Sequence, residues 1–414
     1  MSDSLTRAAR LDARDPLAGL RDRFVGSDDR DTVYLEGNAL GRPPRAAAAR
    51  MAAFVEHSWG GRLIRGWPEG WFDHPMTLGD RLGDVALGAG PGQVVVSDTV
   101  SVLLYALLRA AVGARPGRRE ILVERHEFAT DRWVVEGVAR ECGLDVRWLD
   151  VGPDGVTAGT VRDASGPATT VAVLSQVSHR SGHLADVAEI TRALHDVGAL
   201  ALWDLSHGVG AVPSQLDDWG VDLAVGCTYK YLNGGPGAPA FAYVAAPWQE
   251  HLRSPVQGWM GAADPFGAER GYRPAPSVRR FLSGTPPILA TVPLTCTIDL
   301  LATTGMVPVR ARSVALGDFA VQLADELPAD SGVRVAGPRE GDRRGSHVLL
   351  ACRDAGGAAA RLAERGVLVG VASPDHLRLG LSPMTTSFDE VARALVAVGE
   401  VTAGSETGLG RSLA

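Results

Sequence analysis

Lysine is almost missing from this chain of 414 residues: of its 41 Lys and Arg side chains, only Lys230 is a lysine. Arginine therefore serves wherever charge alone is needed, and chemistry that requires an amine able to lose its proton falls on one position. Cysteine is scarce too. Cys142, Cys227, Cys296 and Cys352 lie far apart with no CxxC spacing, which argues against a zinc site or a disulfide framework and fits a reducing cytoplasm. No apolar run reaches the length of a membrane span, and residues 1–30, rich in Arg and Asp, hold no apolar signal core. The chain thus reads as soluble and unexported, with no membrane partner. Its net charge is −7 and it has no basic stripe interleaved with aromatics, so nucleic acid is not an expected partner. An acidic substrate would have to be met by individual arginines.

What the chain does have is the make-up of an ordinary globular protein, 45% hydrophobic and 21% charged, long enough for one large domain and a smaller one. Its middle alternates short β-rich runs with helical stretches, which predicts an α/β fold with a mainly parallel sheet. Strands are expected at 94–97, 120–124, 145–150, 170–175 and 200–203, with helices over 101–111, 130–142 and 186–197. Near residue 290 the pattern changes. A helical stretch at 288–303 leads into an Ala-, Leu- and Arg-rich segment at 308–326. Strands at 346–352, 367–371 and 377–381, with helices at 358–364 and 388–401, then describe a separate α+β unit. The expected division is an N-terminal segment, 1–60, packing on the smaller domain; a large domain, 61–290; a small C-terminal domain, 291–402; and a frayed polar tail, 403–414.

A deprotonated lysine amine attacks a carbonyl to form an imine, which a guanidinium cannot do. Lys230 lies where an apolar strand ends and a glycine-rich loop begins, in Gly226-Cys-Thr-Tyr-Lys-Tyr-Leu-Asn-Gly-Gly-Pro-Gly237, and so reads as a Schiff-base residue. If the aldehyde is pyridoxal phosphate, four supporting groups are required. A carboxylate must face the ring nitrogen. Asp204, in Leu202-Trp-Asp-Leu-Ser-His-Gly208, follows an apolar strand, although a helix cap or turn residue would look the same. A phosphate needs free N–H groups at a helix start, which Ser97-Asp-Thr-Val-Ser101 offers through Val100 and Ser101; a plain serine cap is the alternative. A ring must cover the cofactor, and Phe128 follows a strand end, though a lone aromatic is more often core. An arginine must take the substrate carboxylate. Arg378 interrupts an apolar strand, while on a solvated sheet face it would need no such explanation.

The stretches Trp203-Asp-Leu-Ser-His-Gly-Val-Gly-Ala211 and Trp219 to Ala238 closely resemble kynureninase. Tyr34-Leu-Glu-Gly-Asn-Ala-Leu-Gly41, Phe128-Ala-Thr-Asp131, Gly258-Trp-Met-Gly261, Phe281-Leu-Ser-Gly-Thr-Pro-Pro287 and Arg378-Leu-Gly-Leu-Ser-Pro383 match in that family's order. The resemblance implies a fold-type I pyridoxal phosphate enzyme of the aminotransferase superfamily, a homodimer with active sites at the subunit interface. It implies that Lys230 carries the cofactor, that Asp204 faces its ring nitrogen with His207 as a neighbouring contact, and that Tyr229 touches the phosphate and relays protons. Val100, Ser101, Phe128, Thr130, Asp131 and Ser175 would line the cofactor, with Trp259 and Thr285 reaching it from the partner subunit. Arg378 and Asn38 would hold the substrate. By themselves, His207 would as readily be a buried, hydrogen-bonded histidine and Trp259 a core tryptophan. The implied reaction is hydrolysis of the β–γ carbon bond of L-kynurenine, its 3-hydroxy form or a substituted kynurenine, giving an anthranilate and L-alanine, in tryptophan breakdown, NAD biosynthesis or a secondary pathway.

Four positions depart from the family pattern: Ala39 stands in place of a serine, Leu103 in place of an asparagine, and His179 and Thr385 in place of tyrosines. They leave the cofactor machinery whole and the aryl group open, because a pocket that loses hydroxyls loses discrimination. Two other readings use the same lysine. A cysteine desulfurase or β-lyase would want a mobile, reactive cysteine, and neither Cys227 nor Cys352 has such a setting. A cofactor-binding regulator without turnover would have no use for both Tyr229 and Arg378.

Overall fold

The computed structural model describes residues 2–152, 155–267 and 271–403; the expected tail lies outside them beyond Ala403. Among these residues the strands run in chain order β1 (Val33–Leu35), β2 (Val94–Ser97), β3 (Glu120–Glu124), β4 (Asp145–Leu149), β5 (Thr169–Ser175), β6 (Leu200–Asp204), β7 (Leu223–Gly226), β8 (Ala240–Val244), β9 (Arg334–Val335), β10 (His347–Ala351), β11 (Val367–Ser373) and β12 (His376–Gly380). Seven of them form one sheet in the order β2-β8-β7-β6-β5-β3-β4. From β4 to β7 every neighbour is parallel; only the β7–β8 and β8–β2 pairs are antiparallel. The expected α/β class with a mainly parallel sheet is what the chain adopts.

Alternation along the central strands feeds two cores. Ile121, Val123, Val171, Val173, Leu202 and Val225 face helices Val100–Ala114 and Ala129–Cys142, while Leu122, Ala172, Leu174, Trp203 and Ala224 face helix Val187–Asp196. Covered on both faces, these strands carry unbroken apolar runs, as parallel strands do. Each helix is also stopped or started by local chemistry. Gly143, at φ +66°, ends Ala129–Cys142 in the left-handed conformation that lacks a Cβ penalty. Asp186 starts Val187–Asp196 by accepting the Glu189 N–H.

The second sheet has the order β1-β11-β12-β10-β9. The N-terminal strand joins it by parallel pairing, Val33 opposite Val367 through Leu35 opposite Val369. Helix Val292–Thr304 buries Leu294, Ile298 and Leu301 in the core of the seven-stranded sheet, whereas Leu316, Phe319 and Ala320 of helix Met306–Asp325 belong to the core of the second. Gly305, at φ +79°, turns the chain between these two helices through 95°. Among the described residues no single helix is long and apolar enough to cross a membrane.

Trp203 is fully buried, and its indole N–H donates to Thr191 Oγ1 at 3.0 Å. Trp203→Ala should therefore cost about 3–5 kcal/mol, measured as a lowered urea midpoint.

Candidate active site

Parallel strands gather their carboxyl ends on one side, and here the ends of β5 and β6 and the turns after β3 and β7 enclose a cavity of about 250 Å³. Val100, Ser101, Phe128, Thr130, Asp131, Ser175, Asp204, His207, Tyr229 and Lys230 all line it, together with His179. The half-buried Lys230 follows β7, and its Nζ lies 2.8 Å from Nε2 of His207 and 5.9 Å from the centre of the Phe128 ring. Burial first, and then Lys230, hold His207 well below the ordinary histidine range. It is therefore neutral, with Nε2 against the lysine nitrogen and its buried Nδ1 without a partner.

Asp204 closes β6 opposite Ser175 of β5. Its Oδ1 accepts the Ser206 N–H at 2.6 Å, so the turn role left open by the sequence is real, and the same side chain also faces the cavity. At the start of helix Val100–Ala114 the plain-cap reading of Ser101 fails. Thr99 is the N-cap, accepting the Val102 N–H at 3.4 Å, because the chain is still extended there. Ser101 is left in the first helical turn, where backbone N–H groups have no partner within the helix and favour an anion.

Asp131 is 0% exposed, and no N–H or hydroxyl donor reaches its oxygens, while its acid lies within hydrogen-bond reach of Asp204. Burial, then the neighbouring charges of Asp204 and Glu127, push its acid well above the usual carboxylate range. Tyr229 is half-buried; burial, and then Cys227 beside it, raise its phenol, so it stays protonated. Phe128 is 47% exposed and meets the edge of His179 at 5.5 Å between ring centres. The lysine, the buried carboxyls and the anion-favouring helix start suit an aldehyde bearing a basic ring nitrogen and a phosphate. The buried, unpartnered His207 Nδ1 leaves a polar atom for such a molecule to satisfy.

The substrate candidates stand behind this wall. Arg378, on β12, donates through Nη1 to the His179 carbonyl at 2.9 Å, and its Nε has no partner. Burial first, then Arg378 and Lys230, drive His179 down to about 3, so it too is neutral. Asn38 is fully buried with both amide atoms unpartnered, against Gly380, where a Cβ would come within 1.8 Å of its Oδ1. Trp259 and Thr285 do not line this cavity. Trp259 is 39% exposed among the rings of Trp67, Phe72 and Phe266, and Thr285 is exposed on its loop. Of the departures from the family pattern, Leu103 is fully buried between helix and sheet, Thr385 is buried, and Ala39 is exposed. Only His179 reaches the wall.

One neighbour of the cavity went unread in the sequence. Glu127 is buried at the turn after β3 and binds Ser175; in the polar run Glu124-Arg-His-Glu127 nothing distinguishes a buried glutamate from solvated ones. Cys227 and Cys352 are both buried, with thiols raised chiefly by burial. Neither supplies a thiolate nucleophile.

Comparison with known proteins places these residues in context. Residues 309–398 match the family model described as the kynureninase C-terminal domain. A kynureninase of Pseudomonas fluorescens is 38% identical over 398 residues, 94% of each chain, and one of Burkholderia pseudomallei is 39% identical over 391 residues, 93% of this chain and 92% of its own. Among solved structures, a cysteine desulfurase of Thermococcus onnurineus superposes with a TM-score of 0.80 at 17% identity, covering 93% of this chain and 98% of that one. A C-DES variant with glycine covalently linked to its PLP cofactor gives 0.78 at 17% identity, over 92% and 99%. These last two likenesses establish the fold-type I architecture.

The Asp131 acid binds its proton in the folded chain over a range where the unfolded chain has already lost it. Folded stability from this group is therefore lost as pH climbs from the ordinary aspartate range toward the raised value. Asp131→Asn should raise the melting temperature of the apoprotein at pH 8 by about 2 °C or more, with the difference vanishing near about pH 4, measured by calorimetry.

Proposed function

The chain belongs to the kynureninase family, and from that premise we propose that it hydrolyses the β–γ carbon bond of L-kynurenine, 3-hydroxykynurenine or a ring-substituted kynurenine, releasing an anthranilate and L-alanine with pyridoxal phosphate as cofactor. The observation that carries this reading is the position of the chain's only lysine, in a strand-end cavity beside His207, Asp204 and Phe128. Bound there, pyridoxal phosphate supplies an electron sink for the substrate's α-carbon. The chain supplies the rest. His207 Nε2 lies within hydrogen-bond distance of Lys230 and orients its nitrogen, which as the free base takes the α-proton and later returns it. Asp204 offers its carboxylate to the ring nitrogen, and the first turn at Val100 and Ser101 offers N–H groups to the phosphate. Phe128 covers one face. Tyr229, held in its protonated form, gives a proton to the oxygen of the γ-carbonyl as water adds to that carbon. Arg378 has an unused Nε for the amino acid carboxylate, and Asn38, against Gly380 two residues further along β12, has an unsatisfied amide.

We further propose a homodimer in which Trp259 and Thr285 of each copy complete the cavity of the other. Support comes from the exposed Val55, Trp59, Leu63, Ile64 and Phe266, apolar side chains of the kind a subunit interface covers. In this reading 61–290 binds the cofactor, 291–402 brings Arg378 to the substrate, and 1–60 docks on that smaller unit. Four free cysteines, three of them buried, support a cytoplasmic setting. The desulfurase reading is disfavoured because Cys227 and Cys352 are buried with raised thiols.

Incubation of the holoprotein with kynurenine should yield alanine and anthranilate in equal amounts by mass spectrometry; a keto acid as the main product would sink the hydrolase reading. Lys230→Arg keeps the charge but should lose the yellow colour of the bound cofactor and about 10³-fold or more of turnover. Arg378→Lys loses the planar fork and should raise KM by about tenfold with a smaller change in kcat. Sedimentation should report a dimer, and Trp259→Ala should weaken cofactor retention in it.

A further inference from the structure

We propose that Glu127 is a positioning residue of the cofactor pocket, fastening the turn that carries Phe128 to the strand end that carries Ser175 and sharing one buried carboxyl cluster with Asp131 and Asp204. The proposal rests on the pyridoxal phosphate reading above. Glu127 is 2% exposed. Its Oε1 accepts the Phe128 N–H at 2.9 Å and the Ser175 hydroxyl at 2.7 Å, and its Oε2 accepts the Ser175 N–H at 3.0 Å. One side chain thus ties the ends of β3 and β5 together where Phe128 leads into the helix bearing Thr130 and Asp131. Ser175 in turn stands opposite Asp204 in the sheet. Both donors of Ser175 are directed at Glu127, which fixes its place on the cavity wall. Without Glu127, these donors lose their partner in a buried setting, at the cost that unpaired polar groups carry. Phe128, nearly half exposed and held by one ring edge, would lose its anchor.

Acids face Glu127 from three elements, Glu124 from β3, Asp131 from helix Ala129–Cys142 and Asp204 from β6, and Arg180 acts on Glu124 beside them. Lys230 acts on Asp131 in this cluster. Three donors favour the ionised form of Glu127, while burial and then Glu124 oppose it, leaving the acid pushed up to about 7. Protonated below that pH and ionised above it, Glu127 becomes a stronger acceptor and adds negative charge beside Asp204 as pH rises. Cofactor affinity should therefore gain a step across neutrality that belongs to this side chain.

The test is titration of the apoprotein with pyridoxal phosphate, followed by tryptophan fluorescence from about pH 6 to about pH 8.5, for the wild type, Glu127→Gln and Glu127→Ala, with melting temperatures of each. Glu127→Ala should weaken binding about tenfold at pH 8. Glu127→Gln keeps one carbonyl acceptor, so it should weaken binding less and lack the wild type's step near neutrality. A glutamate that is merely structural would lower the melting temperatures while leaving affinity and its pH dependence alone, and that result overturns the proposal. Should Glu127→Ala fail to fold, the comparison of Glu127→Gln with the wild type decides, and parallel pH profiles overturn it. A wild type that takes up no pyridoxal phosphate overturns this inference and the proposed function together; a wild type that binds it while the variants behave alike overturns the inference alone.

Discussion

The 2.8 Å contact between the Lys230 amine and the His207 ring depends on two turns that leave neighbouring strands on the same side of a parallel sheet. His207 comes three residues after β6 and Lys230 four after β7, and β6 and β7 pair directly, Asp204 opposite Val225. Parallel pairing is what puts both turns at one edge, and burial is what keeps the imidazole neutral beside the amine. The chemistry of the cavity is thus set by sheet direction before any side chain is considered.

The second sheet meets the first beside this cavity through polar ties. Tyr231 Oη donates to the Ser346 carbonyl at 2.8 Å, Arg378 to the His179 carbonyl, and the Gly345 N–H to the Gly182 carbonyl at 2.8 Å. The loop carrying His179 is therefore gripped from the smaller unit. A displacement of β12 would be felt at the cavity wall through Arg378, and a charge arriving at Arg378 would be felt by a histidine that burial already holds neutral.

Much of this was legible in the residues. β2 and β3 run where their apolar residues begin and end, because both are buried and bounded by polar residues. β8 was not anticipated: Ala240-Phe-Ala-Tyr-Val244 follows the glycine-rich loop without a turn signal of its own, and its antiparallel place in the sheet is a tertiary outcome. The helix at 292–304 looks from composition like the start of the smaller unit, yet its apolar face fills the core of the larger one, since periodicity tells which face is buried but not against what. At the site, strand-end residues of unusual chemistry, Lys230, Asp204 and Phe128, stood out. Thr99 and Glu127 did not, because capping and clamping depend on which backbone N–H groups a neighbouring strand leaves open. Arg378 was singled out as a charge in an apolar strand, and its partner proved to be a backbone carbonyl on another unit, a contact that no local pattern encodes.

A chain whose one ε-amine opens on a cavity carries a built-in chemical handle. Acylating or isotopically reductive reagents find a single side-chain target, and its accessibility reports whether the cavity is occupied. Lysine-directed proteolysis likewise has one place to cut, between Lys230 and Tyr231, where a fully buried ring holds the chain shut until the fold opens.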